Sequence, residues 1–228
     1  MSDVLPTLEV ETAAEADFSV IWLHGLGADG SDFEPVVPEL GLPGNAKIRF
    51  VFPHAPVIPV TCNGGYLMRA WYDIKYLDGS TRDVDEAGVR ASCEAVRALI
   101  ARENARGVPT HRIVLAGFSQ GGAIAYTAAL SHPETLAGVI ALSTYLPARQ
   151  LLLDSLTEAN RSTPIFAAHG TQDDVVGLRL GEAARDTLQA EGYAVEWRTY
   201  PMPHSVCLDE IRAIGAWLTT RWQTAQRA

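Results

Sequence analysis

Ser119 lies within Gly117, Phe118, Ser119, Gln120 and Gly121, a GxSxG pattern. A serine alcohol is a poor nucleophile until a base takes its proton, so a reactive Ser119 requires an imidazole and a carboxylate that orients it. The pattern stands at the end of the apolar run Ile113 to Phe118 and opens a small-residue helix that begins Gln120, Gly121, Gly122, Ala123. Strand, sharp turn and helix make a nucleophile elbow. The serine takes a strained backbone conformation, its hydroxyl stands clear, and the flanking glycines relieve crowding that a Cβ would create. The start of the helix also offers free N–H groups and a positive dipole end to the oxyanion of a tetrahedral intermediate, so the Gln120 N–H is the first expected oxyanion donor. The bland alternative is a serine that merely caps a helix after a glycine-rich turn.

In an elbow of this kind the partners follow in the order serine, acid, histidine. His132, in SHPE at the end of the helix after the elbow, reads as a partner of the helix dipole, and His169, before Gly170 at a strand end, as shaping a turn. His204 is the expected base. It follows the last expected strand in YPMPHS and precedes the final helix, so its loop emerges at the carboxyl edge of the sheet, where open α/β sheets bind ligands. For the acid, HGTQDDVV offers Asp173 and Asp174, and chemistry alone does not choose between them. A lone Asp would read as a helix cap and a lone His as a solvated side chain, but three groups in the required order at successive strand ends favour a triad. Cys207, three residues beyond His204, reads as an ordinary thiol because it has no elbow of its own.

These residues must be carried by alternating elements. Expected strands are Phe18 to Leu23, Ile48 to Phe52, Ile113 to Phe118, Val139 to Ser143, Ile165 to His169 and Val195 to Tyr200, with an edge strand near Leu8 to Glu11. Most are nearly continuous apolar runs, as in strands buried on both faces of a parallel sheet. Expected helices are Val84 to Arg106, with Val89, Cys93, Val96 and Ile100 on one stripe, Gln120 to Ser131, Gly177 to Glu191, and Val206 to Trp222, with Leu208, Ile211, Ile214 and Leu218 on a common side. The order predicts one α/β domain over residues 1–228, with a mostly parallel sheet covered by helices. Pro53 to Arg82 reads as a long, packed, pocket-lining loop. The interval between Ser143 and Asp173 holds room for a strand and a short helix but not for a separate cap. In folds of this class a second oxyanion N–H comes from the loop after an early strand, here His24, Gly25, Leu26 and Gly27, which makes Leu26 the donor and His24 a structural residue.

The chain has 228 residues, with 18 basic and 27 acidic side chains and a formal net charge of −9, a balance that argues against nucleic acid and against strong binding to anionic membranes. Hydrophobic residues make up 47% and charged residues 20%, which excludes a disordered or low-complexity chain. Cys62, Cys93 and Cys207 are widely spaced without a CxxC pair, so neither a disulfide framework nor a zinc knuckle is expected. Residues 1–17 carry five acidic and no basic side chains, and no run approaches the ~20 apolar residues of a membrane span. The expectation is a cytoplasmic protein with no stable membrane insertion.

The segments WLHGLGADGSDF (Trp22 to Phe33), FPHAP (Phe52 to Pro56), PVTCNGGYLMRAWYDI (Pro59 to Ile74), GFSQGGAIA (Gly117 to Ala125), ALSTYLP (Ala141 to Pro147), HGTQDDVV (His169 to Val176) and MPHSV (Met202 to Val206) together carry a resemblance. The chain resembles the small carboxylesterases and acyl-protein thioesterases of the α/β-hydrolase fold, also described as phospholipase/carboxylesterase-type. The resemblance implies a mostly parallel sheet with helices on both faces and no cap domain. It puts the nucleophile on Ser119, the oxyanion N–H groups on Leu26 and Gln120, the base on His204, and the acid on the fifth residue of the HG segment, Asp173. Relatives often have an acid at the third residue of that segment, where this chain has Thr171. The PHAP and AWYD stretches resemble the family's pocket-forming insertion, so Leu67, Met68, Trp71 and Val176 are the expected acyl-chain contacts.

The implied activity is hydrolysis of carboxylic esters of short to medium acyl length through an acyl-enzyme, with neither metal nor organic cofactor. An acyl-protein thioesterase or lysophospholipase using the same triad is the alternative, and a noncatalytic ligand-binding protein on the same fold the remote one. The expected partner is a small-molecule ester or thioester, with the chain acting as a monomer or homodimer.

Overall fold

The structure is a computed structural model in which residues 4–77 and 82–227 are described. The elements in chain order are strands β1 (Thr7–Glu11), β2 (Phe18–Leu23), β3 (Ile48–Pro53), β4 (Val57–Val60), β5 (Tyr66–Arg69), β6 (Ile74–Leu77) and β7 (Arg82–Val84), helix α1 (Glu86–Ala105), strand β8 (Ile113–Phe118), helix α2 (Gln120–Leu130), strand β9 (Gly138–Leu142), helix α3 (Arg149–Ser155), strand β10 (Ile165–Gly170), helix α4 (Leu178–Ala190), strand β11 (Val195–Tyr200) and helix α5 (Leu208–Ala225). The main sheet has seven strands in the order β1-β3-β2-β8-β9-β10-β11, all parallel except β1, which runs antiparallel to β3 with Glu11 opposite Arg49.

Every residue of β2, β3, β9 and β10 is buried, because successive side chains point to opposite faces and both faces are covered. Ile21, Leu23, Ile113 and Leu115 join the core on one face with α1 and α2, whereas Val20, Trp22, Val114 and Ala116 join the core on the other with α5. This double coverage makes the strands read as unbroken apolar runs, and it aligns their carboxyl ends along one edge.

The α1 stripe is buried as its spacing predicts, with Val89, Cys93, Val96 and Ile100 all inside. The same face buries a carboxylate. Glu103 is wholly inside and accepts hydrogen bonds from Ser19 Oγ at 2.6 Å, Arg49 at 2.8 Å and Arg106 at 2.9 Å. On α5, Ile214 and Leu218 are buried but Leu208 is 43% exposed, and the buried residue of the first turn is instead Glu210. The apolar side of α5 therefore begins later than the periodicity indicates. Helix α2 is buried on all sides, and its small residues permit that: a Cβ on Gly122 would stand 2.8 Å from Thr144.

The segment expected as a long loop holds two antiparallel hairpins, β4 with β5 and β6 with β7. Asn63, Gly64 and Gly65 turn the first, with both glycines at positive φ. Thr61, just after β4, is tied to Asp73, which accepts from its N–H and its hydroxyl. Residues 78–81 lie outside the described residues. Between β9 and β10 the chain forms only α3 and a single turn at 158–160, as the spacing predicts.

Candidate active site

Ser119 links β8 to α2 with φ 53° and ψ −120°, a positive-φ conformation that an L-residue adopts only under constraint. The glycines explain how the turn is accommodated. A Cβ on Gly117 would stand 2.3 Å from the Gly121 carbonyl oxygen, and one on Gly121 would stand 2.3 Å from that of Leu23. Any larger residue at either position pushes β8, α2 and the β2 end apart. The turn is also held from β9, since Ser119 N–H donates to the Leu142 carbonyl and Thr144 Oγ1 donates to the Ser119 carbonyl.

His204 arrives on the loop between β11 and α5. Its Nε2 is 3.0 Å from Ser119 Oγ and its Nδ1 is 2.7 Å from Asp173 Oδ2. The Phe118 ring packs against the imidazole, with centroids 4.7 Å apart. Asp173 follows β10, and its side chain has no exposed surface. Burial alone would push its carboxyl up, but the His204 ring N–H and the backbone N–H groups of Val176 and Val175 outweigh burial and hold it below the usual carboxylate range. An ionised carboxylate only accepts hydrogen bonds, so Nδ1 carries the ring proton and Nε2 offers its lone pair to the serine hydroxyl. Asp174 points outward and is exposed. The structure thus brings Ser119, Asp173 and His204 into one hydrogen-bonded line.

The loop after β2 approaches from the other side. A Cβ on Gly25 would lie 3.5 Å from Ser119 Cβ, so the backbone at Gly25 and Leu26 abuts the serine. Neither Leu26 N–H nor Gln120 N–H donates to a protein acceptor among the described residues. His24 is structural in geometry: Nδ1 donates to the Gly25 carbonyl at 2.7 Å, Nε2 accepts from Ala55 N–H at 3.1 Å, and burial pushes its pKa down. His132 turns back on the backbone of Glu134.

A cavity of about 220 Å³ opens over Ser119 and His204, with Leu26 and Gln120 on its wall. Ile74, Phe118, Tyr145, Val175 and Val176 make the wall mainly apolar, and Asp32 supplies a carboxylate. Burial, followed by the nearby Asp29 charge, raises the Asp32 pKa. Of the four expected acyl contacts, Val176 is on this wall. Leu67, Met68 and Trp71 are not. Leu67 is 63% exposed on the first hairpin, and Met68 lies near Gly27. Trp71 is buried behind the serine loop, where its indole N–H donates to the His24 carbonyl at 2.9 Å. Its backbone N–H donates to Gln120 Oε1, and Gln120 Nε2 donates to the Tyr72 carbonyl. Gln120 therefore also clamps the hairpin segment through its side chain, a role that no local sequence signal carries. Ile74 and Tyr145, which the sequence reading did not single out, reach the cavity from distant segments.

The geometry has close counterparts among known proteins. A family model described as Phospholipase/Carboxylesterase matches residues 7–221. An acyl-protein thioesterase 1 of Neurospora crassa is 42% identical over 224 residues, covering 95% of this chain and 91% of the relative. The crystal structure of Arabidopsis thaliana SOBER1 superposes with a TM-score of 0.85 at 34% identity, covering 90% of this chain and 98% of that one. Zea mays acyl-protein thioesterase 2 superposes with a TM-score of 0.84 at 29% identity, covering 95% and 99%. An elbow serine at the carboxyl edge of a mostly parallel sheet, within a sequence matched from strand β1 into helix α5, places this chain in the phospholipase/carboxylesterase family of the α/β-hydrolase fold.

Proposed function

We propose that this protein is a serine carboxylic ester hydrolase in which Ser119, His204 and Asp173 form the catalytic triad. The observation that carries the reading is the unbroken path from Ser119 Oγ to His204 Nε2 and from His204 Nδ1 to Asp173, beside a cavity that Leu26 and Gln120 also line. His204 takes the proton of Ser119 Oγ as the oxygen attacks the carbonyl carbon. The N–H groups of Leu26 and Gln120 receive the oxyanion, and Asp173 stabilises the imidazolium. His204 then gives its proton to the leaving oxygen or sulfur, which departs as alcohol or thiol and leaves an acyl ester on Ser119. Water activated by His204 reverses the sequence, releasing the carboxylic acid and regenerating the serine.

The cavity is below the ~300–1,000 Å³ of drug-sized pockets, which favours short to medium acyl chains contacting Val176, Ile74 and Tyr145. The name of the Neurospora relative supports a second reading, hydrolysis of protein-bound thioesters by the same groups. Matched ester, thioester and lysophospholipid substrates rank the readings by kcat/KM. Replacing Ser119 with Ala should lower ester turnover by at least ~10⁴-fold and abolish labelling by an organophosphate, with an unchanged circular dichroism spectrum. An active Ser119→Ala protein would refute the assignment.

A further inference from the structure

His169 is the penultimate residue of β10 and is completely buried, yet it does not line the cavity. Its Nε2 is 2.7 Å from the Val176 carbonyl oxygen and 3.5 Å from Asp173 Oδ2. Both neighbours only accept, so Nε2 carries the proton. The other nitrogen, Nδ1, has no hydrogen-bond partner among the described residues and faces α4, where a Cβ on Gly181 would stand 2.4 Å from it. The Trp197 ring lies beside the imidazole, with centroids 6.1 Å apart. The ring is thus wedged, with one N–H directed at the loop that carries the acid.

That loop has two functional ends. Asp173 Oδ1 accepts from the N–H groups of Val175 and Val176, while Oδ2 meets His204 and lies near His169. Val176 is on the cavity wall. We propose that His169 is a positioning residue: its Nε2–H fixes the Val176 carbonyl and flanks Asp173 Oδ2, setting both the aim of the carboxylate at His204 and the wall of the acyl pocket. The proposal rests on the serine hydrolase reading above. A ring that acquired a second proton would place a positive charge beside Asp173 and weaken its pull on the imidazolium of His204. Burial opposes this and pushes the His169 pKa down, against the Val176 carbonyl and the charges of Asp173 and Glu182 and together with that of His204.

Three variants separate positioning from mere filling of space. His169→Leu removes the donor at similar bulk, and His169→Gln returns an N–H near the Nε2 position. Gly181→Ala leaves the imidazole chemistry intact but crowds Nδ1. Rates are measured on a soluble ester across pH and expressed per folded molecule, with Tm recorded for each variant. His169→Leu should lower kcat on the order of 10–100-fold, as expected for a misaimed catalytic group. It should also move the acid limb of kcat/KM toward lower pH, because a misaligned carboxylate stabilises the imidazolium less. His169→Gln should recover most of the rate and return the limb. Gly181→Ala should shift the limb in the same direction as His169→Leu even though alanine favours the helix. If His169→Leu does not fold, His169→Gln and Gly181→Ala decide between them: a rescued rate with a shifted Gly181→Ala limb supports the proposal. Wild-type kinetics in Gly181→Ala, or a His169→Leu loss that vanishes when corrected for folded fraction, overturns it. Ser119→Ala assayed in parallel keeps the two claims apart, since near wild-type turnover there defeats the hydrolase reading itself.

Discussion

Asp173 and Asp174 are chemically identical neighbours, and the backbone divides their roles. Asp173 folds inward, where two backbone N–H groups hold one oxygen and His204 meets the other, whereas Asp174 is exposed. Asparagine at 173 could offer an amide N–H to Nδ1 and so stabilise the tautomer whose Nε2 carries the proton and cannot accept from Ser119. Asp173→Asn is accordingly expected to lower kcat about 10⁴-fold, and Asp174→Asn to leave it within a factor of about two; steady-state rates on one soluble ester compare them directly. At this scale the residue types and their order were legible, but their directions were not. Trp71 is the clearest instance. Its apolar bulk suits a pocket wall, yet a buried indole needs an acceptor for its N–H, and the His24 carbonyl turns the ring away from the cavity.

Helix α1 shows the same division for an element. Its apolar stripe was readable from three- and four-residue spacing, because a helix repeats its faces whatever it packs against. Glu103 was not readable as a buried group, since its partners Ser19 and Arg49 come from β2 and β3, far off in sequence. Together they tie α1 to the sheet. Removing the carboxylate leaves Arg49 buried with a single remaining acidic partner among the described residues, Glu11, so Glu103→Ala should destabilise the fold by about 3–5 kcal/mol. Urea denaturation monitored by tryptophan fluorescence measures the loss; a midpoint equal to wild type would show that the network contributes nothing. The hairpins β4–β5 and β6–β7 were hidden for a different reason. Strands β4 and β5 are short and in part exposed, with prolines at 56 and 59, so neither alternation nor an apolar run marks them, and the turn glycines 64 and 65 were the available signal; β6 and β7 are only four and three residues long.

For the whole molecule, the consequence of such burial appears as a dependence of stability on pH. Glu210 stands in the first turn of α5, just after the loop that carries His204, and is wholly buried. Burial pushes its carboxyl up to about 8, offset only in part by the Cys207 N–H, from an ordinary value of 4.5. Between those values the unfolded chain releases a proton that the folded chain keeps, so this group's contribution falls as pH rises through the window and is level above it. Glu210→Gln, which is neutral throughout, should gain stability relative to wild type from pH 5 to pH 8, read as the difference in urea midpoint at each pH. A difference that does not widen would show that the carboxyl ionises freely. What the sequence determined by itself was set by local and periodic physics: strands buried on both faces, the order serine, acid, histidine along one sheet edge, and a glycine-flanked elbow required by crowding within a few residues of Ser119. Which apolar side chains face the cavity and which acids are buried were decided by contacts between segments tens of residues apart. Only the tertiary structure holds those answers, because the direction of a side chain depends on neighbours that the sequence does not place beside it.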